Sequence, residues 1–135
     1  MKRILALALT LALALTLFAC QKPADFSDTM IYMTDTPLGE GAKTLTVDVE
    51  VGDKTVHFVV KTDKDTVGAA LLDCGLIAGE EGAYGLYVKT VNGVLADYDV
   101  DQTYWAFYMG DEMAMTGVDQ TEITEGVVYR LVKSK

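Results

Sequence analysis

One histidine, two serines and two cysteines are all this 135-residue chain has from which to build covalent chemistry. Ser27 lies near the N-terminus, Ser134 at the C-terminus, and His57 on the polar side of an alternating segment. No Ser/His/Asp or Cys/His arrangement can be assembled from these, so no catalytic residue is assigned and a non-enzymatic role is expected. Zinc needs several His or Cys ligands, and the chain lacks them. Basic residues are also scarce, with 11 Lys and Arg against 20 Asp and Glu. That surplus of negative charge repels nucleic acid, and a role in binding it is excluded. The one long apolar run, Ile4 to Phe18, is shorter than the roughly 20 residues that a membrane-spanning helix needs.

What that run does fit is the apolar part of an export signal, preceded by Lys2 and Arg3 and followed by small residues. Leu17-Phe18-Ala19-Cys20 resembles the lipobox of bacterial lipoproteins, with Leu at −3, Ala at −1 and the cysteine that receives the lipid; Phe18 is bulkier than usual. The resemblance implies a signal peptide over 1–19, lipidation of Cys20, and residence at the cell membrane on its extracytoplasmic face. Loss of residues 1–19 would remove two basic and no acidic side chains and take the formal charge from −9 to −11. With Cys20 acylated, Cys74 would have no partner, and stability would rest on the core. Residues 20–41 hold both prolines and show no period, which predicts a flexible tether, although Ile31, Tyr32 and Met33 could dock part of it. The folded domain is expected over 42–135.

Leu45, Val47, Val49 and Val51 alternate with polar residues, and Val56, Phe58 and Val60 repeat the pattern after Gly52-Asp53, which predicts a hairpin. The period then changes. Val67, Ala70, Leu71 and Cys74 fall on one helical face, with Asp65 as the expected N-cap and Gly75 as the stop. A Gly-rich loop containing Gly79 and Gly82 is expected next. Strands are predicted over 84–91, 94–97, 104–109, 112–115 and 127–133, with Asn92-Gly93 as the strongest turn signal. The order implies an α+β fold, a mainly antiparallel sheet with one covering helix, of which the β-grasp is the best-known form.

Asp97, Asp99 and Asp101 resemble the first half of a calcium loop, but Gln102 and Tyr108 stand where that loop needs its glycine and its bidentate glutamate. They are read as a solvated sheet edge, and no metal site is assigned. Aromatic residues and methionines crowd the second half instead. Alternation in Tyr104-Trp105-Ala106-Phe107-Tyr108 puts Trp105 and Phe107 on one face, which is either core or open to a ligand. Met113 and Met115 carry the same two readings.

Thr66-Val67-Gly68-Ala69-Ala70-Leu71, Tyr84-Gly85-Leu86-Tyr87-Val88, Val91-Asn92-Gly93, the Tyr104–Tyr108 run and Gly117-Val118-Asp119 together resemble a family of bacterial exported domains of unknown function. That family is similar to the C-terminal domain of transcobalamin and intrinsic factor. The resemblance implies a β-grasp-like fold and a ligand such as cobalamin or another corrinoid, with no cofactor required. Carried over by position, it implies ligand-facing places at Val88, Phe107 and Ala114, to which Trp105 and the neighbours Met113 and Met115 are added. The animal carriers clamp their ligand against a helical domain that this chain lacks. The expected function is a cell-surface lipoprotein that binds a small molecule and delivers it to a membrane transporter. The alternative is a protein-interaction or surface-display module.

Overall fold

A computed structural model describes residues 29–135 of the chain. Alternation makes the first hairpin as expected. Strand β2 (Lys43–Val51) pairs antiparallel with β3 (Lys54–Thr62), and Leu45, Val47, Val49, Phe58 and Val60 are almost wholly withdrawn from solvent on one face. Each such side chain contributes about 1.5–3 kcal/mol on burial, so the choice of face is decisive.

Helix α1 (Val67–Asp73) follows. Its N-cap is Thr66, whose hydroxyl accepts from the Ala69 amide, and not Asp65. Asp65 is drawn off instead by the Lys43 ammonium, 2.6 Å away, which holds its carboxyl below the usual carboxylate range. The helix ends at Gly75 with φ +77°, where the Gly75 and Leu76 amides donate back to the Leu72 and Leu71 carbonyls. That closure satisfies the terminal carbonyls.

After the helix the chain differs from the sequence expectation. The segment read as a Gly-rich loop is strand β4 (Ile77–Gly82), paired with β5 (Gly85–Val91), which in turn pairs with β6 (Val94–Leu95). Gly79 sits at an irregularity in this ladder, where a Cβ would strike the Tyr87 carbonyl. Glycine here permits close backbone approach and leaves the strand intact. The run Asp97 to Asp101 is not a sheet edge either. Asp97 caps the short helix α2 (Tyr98–Asp101), and Asp101 accepts from the Thr103 amide and hydroxyl. Local side-chain acceptors of this kind compete with a strand ladder and win here.

Strands β7 (Tyr104–Met109), β8 (Glu112–Met113) and β9 (Val128–Ser134) complete the large sheet, with a 3-10 turn at Val118–Gln120 between the last two. Among the described residues the architecture is therefore α+β with two sheets and not one. With β1 (Thr36–Gly39) at its edge, the six-stranded sheet runs β1-β3-β2-β9-β7-β8, with β9 parallel to β2 and β1 parallel to β3. The three-stranded sheet, α1 and the buried face of the large sheet share one core, which includes Leu71, Leu76, Ile77, Val91, Val94, Trp105, Tyr129 and Leu131.

Strand β1 lies inside the segment expected to be a tether. The chain before it is fastened as well. The fully buried Asn92 side chain accepts from the Tyr32 amide and donates to the Tyr32 carbonyl, both at 2.9 Å, and the Tyr32 ring meets Phe58 edge to face. Order thus extends ahead of Ala42, because apolar Tyr32 and Leu38 pack against the core.

On the outer face of the large sheet Arg130 forks onto Glu50 and lies 5.1 Å over the Tyr108 ring. His57 faces Asp48 at 2.6 Å, and this hydrogen bond and charge, with Asp35 and Glu50 farther off, lift the imidazole above its usual 6.5. A raised value means that the pair stabilises the fold below the unfolded-state value and that this contribution is lost as pH rises through the folded-state value. The pair is exposed, so its loss should cost only about 0.2–1 kcal/mol. Chemical denaturation of wild type and His57→Gln across about pH 5 to 9 should show the difference between them shrinking with rising pH; a constant difference would contradict the pairing.

Candidate functional site

The residues expected to face a ligand fall into two hollows. Val88, Trp105 and Phe107 line the smaller, about 130 Å³, together with Leu86 and Val118. The Trp105 and Phe107 face of β7 is turned toward the core, because Phe107 and Leu131 are register partners and Leu131 is buried. Trp105 is 7% exposed, and its indole N–H lies 3.2 Å from both the Lys89 and the Val94 carbonyl. Phe107 stacks on buried Tyr129 at 5.9 Å and 13°. Of the two readings that alternation leaves for this face, core holds for Trp105, which β5 and β6 cover, while Phe107 is partly buried and borders the smaller hollow. What space remains there suits a single small ring at most.

Met113, Ala114 and Met115 line the larger hollow, about 570 Å³, together with Met109, Val127 and Val128. This volume falls in the range of small-molecule sites. Two segments form its walls, the chain through 112–116 and the chain entering β9. Gly110 and Gly126, both at positive φ, turn the chain at its ends. The Gly110 amide donates to the Val128 carbonyl at 2.8 Å, which ties the walls together, and the Ala114 amide donates to the Phe107 carbonyl at 3.0 Å, which holds the 112–116 segment against β7. Thr116 and Thr121 hydroxyls meet at 2.9 Å behind it. Met115 is 98% exposed and Met113 57%, with Met109 and Val128 also open to solvent. Glu112 is the one charged residue in the lining.

The β9 side of this hollow was invisible in the sequence, since Gly126-Val127-Val128 reads only as the start of a strand. In the sequence Asp119 stands only within Gly117-Val118-Asp119, a piece of the family resemblance with no role attached. Its carboxylate accepts from the Leu86 amide at 3.1 Å and crowds Gly85, at φ +105°, where a Cβ would meet it. This contact fixes the β4–β5 turn on the 3-10 segment.

The groups with covalent potential are scattered. His57 is on β3, Ser134 ends β9, and Cys74 caps α1 with its thiol half-buried, pushed up by burial and 3.6 Å from the Leu71 carbonyl. Among the described residues no cluster of three or more His, Cys, Asp or Glu could hold a metal ion. No helix among them is long and apolar enough to cross a membrane. Cys20 lies outside the described residues.

Fold and hollow together define an α+β domain with an open, methionine-lined concavity at one end of its large sheet. Residues 64–128 match the family model described as a domain of unknown function, DUF4430. The crystal structure of a candidate metal-binding protein from Ruminococcus gnavus ATCC 29149 is 35% identical over 70% of this chain and 98% of its own, with a TM-score of 0.65. The chain belongs to the family of that protein. Haptocorrin in complex with Cbi, a member of the transcobalamin family, is similar in fold, at 20% identity and a TM-score of 0.57. That match covers 68% of this chain, which spans about a quarter (25%) of haptocorrin. No curated protein matches.

Proposed function

We propose that this domain is a non-enzymatic ligand-binding module, lipid-anchored through Cys20 on the extracytoplasmic face of a membrane, that holds the apolar ring face of a small-molecule ligand against the Met113–Met115 hollow. A corrinoid is the favoured ligand, passed onward to a membrane transporter. The observation that carries the reading is the pairing of ligand-sized volume with exposed thioethers, since flexible, polarisable methionines adapt to irregular apolar surfaces. The haptocorrin likeness supports it at the level of fold. The hairpin, helix and closing strand β9 laid parallel to β2 support a β-grasp-like arrangement. Val88, Trp105 and Phe107, the other places that the resemblance implies, line the smaller hollow.

Calorimetric titration of the chain with cobinamide and with cobalamin tests this. Saturable binding is expected, weakened about tenfold or more by Met113→Asp, because one buried methionine contributes about 1.5–3 kcal/mol. No heat change with either corrinoid at high micromolar concentrations would remove the corrinoid. The exposed two-residue edge strand β8 favours a second reading, a protein-docking edge. Recovery of one stoichiometric protein partner, lost in Met113→Asp while corrinoids fail to bind, would establish that reading instead.

A further inference from the structure

A separate hollow of about 590 Å³ opens among Tyr87, Tyr98 and Tyr104, with Asp97 and Asp99 also in its lining. These residues come from β5, from α2 with its cap, and from the first position of β7. The walls are held together from behind by Trp105, which follows Tyr104 and whose indole bridges to the Lys89 and Val94 carbonyls. Tyr87 and Tyr98 are 42% and 56% exposed. The ring contacts of the described residues, Tyr32 with Phe58, Phe107 with Tyr129 and Arg130 over Tyr108, use none of the three tyrosines. Single exposed tyrosines are ordinary surface. Three converging on one ligand-sized concavity present aromatic surface that the fold itself does not consume.

The charge of the hollow narrows what it could hold. Glu80 and Lys89, also in the lining, lie 3.5 Å apart and offset each other, which leaves Asp97 and Asp99 to set the sign. Anions are repelled by these carboxylates and by the net charge of −9 on the whole chain, which instead concentrates cations near the surface. A bare metal ion fits poorly, because one Asp97 oxygen is already engaged by the Asp99 amide and no cluster of three acidic, His or Cys ligands forms among the described residues. An organic cation fits both features. Tyrosine faces attract it through their quadrupoles, and a fully methylated nitrogen needs no hydrogen-bond acceptor that the site must supply.

We infer that this second hollow binds a quaternary or N-methylated ammonium group, with Tyr87, Tyr98 and Tyr104 as the aromatic walls and Asp97 and Asp99 as the counter-charge. The inference is independent of the Met-lined hollow and of its ligand. Free trimethylammonium compounds and the choline headgroup of a lipid carry the same chemistry.

The test is a magnetic-resonance titration of the full-length chain in nonionic detergent with tetramethylammonium chloride and with choline chloride, against sodium chloride at equal ionic strength. Saturating shifts are expected at Tyr87 and Tyr98 with the methylated cations alone. Tyr98→Leu, a change at an exposed position, should weaken binding about tenfold or more, and Asp99→Asn by about threefold. Flotation with phosphatidylcholine and phosphatidylethanolamine vesicles separates the sources. A preference for phosphatidylcholine that Tyr98→Leu abolishes places the group on a lipid; cation binding without that preference places it on a free solute. Shifts equal to those with sodium chloride, or binding undiminished in Tyr98→Leu whose spectrum elsewhere is unchanged, would overturn the inference.

Discussion

Asn92→Ala should lower the stability of the domain by about 3 kcal/mol, seen as a fall in thermal midpoint on the order of 10–20 °C. Two hydrogen bonds disappear at once, and the Tyr32 amide and carbonyl that they satisfied lose their partner. A buried polar group left without a partner costs about 1–3 kcal/mol, and two are at stake. Residue 92 also adopts φ 49°, a region that asparagine tolerates and alanine does not. The Leu76 carbonyl and Ile31 amide bond only to the backbone of residue 92 and should survive. Circular dichroism melts of wild type and variant decide the matter, and a midpoint shift of less than about 3 °C would mean that Asn92 does not fasten the N-terminal segment.

Trp105→Ala should cost about 3–5 kcal/mol, close to the whole stability of a small domain. The indole fills space between the two sheets, and its N–H is shared by carbonyls of β5 and β6. Truncation opens a cavity there and unties the small sheet from β7. Met115→Ala is the contrasting change, at a side chain 98% exposed, and should move stability by less than about 0.5 kcal/mol. Urea denaturation of the pair measures both. Near-equal effects would show that Trp105 is not a core residue and would reopen the aromatic face of β7 as a ligand surface.

Local patterns carried much of the fold. The hairpin of β2 and β3 follows from strict alternation, and α1 from four apolar residues on one helical face closed by Gly75. Strand β4 was lost because glycines and glutamates dominate it, and only the pairing with β5 shows why Gly79 belongs in a ladder. How the small sheet packs on β7 is not legible in the sequence either: β5 and β6 hold Trp105, while Phe107 stays partly buried at the smaller hollow. Met113, Ala114 and Met115 were legible as a cluster because they are adjacent in sequence, but their opposite wall at Val127 and Val128 meets them only in the folded chain. The second hollow was less legible still. Its three tyrosines stood in one aromatic-rich stretch, yet they come from separate elements, and Asp97 and Asp99 read as a solvated edge until α2 turned them.

The fastening of Tyr32 changes the mechanics of any attachment at Cys20. Eleven residues, 21–31, separate Cys20 from Tyr32. Covalent geometry lets that stretch span at most about 40 Å, little more than the breadth of a domain of this size. A lipidated molecule of this kind would ride against the bilayer and could not search far above it. Any ligand of such a lipidated molecule would be met close to the membrane surface.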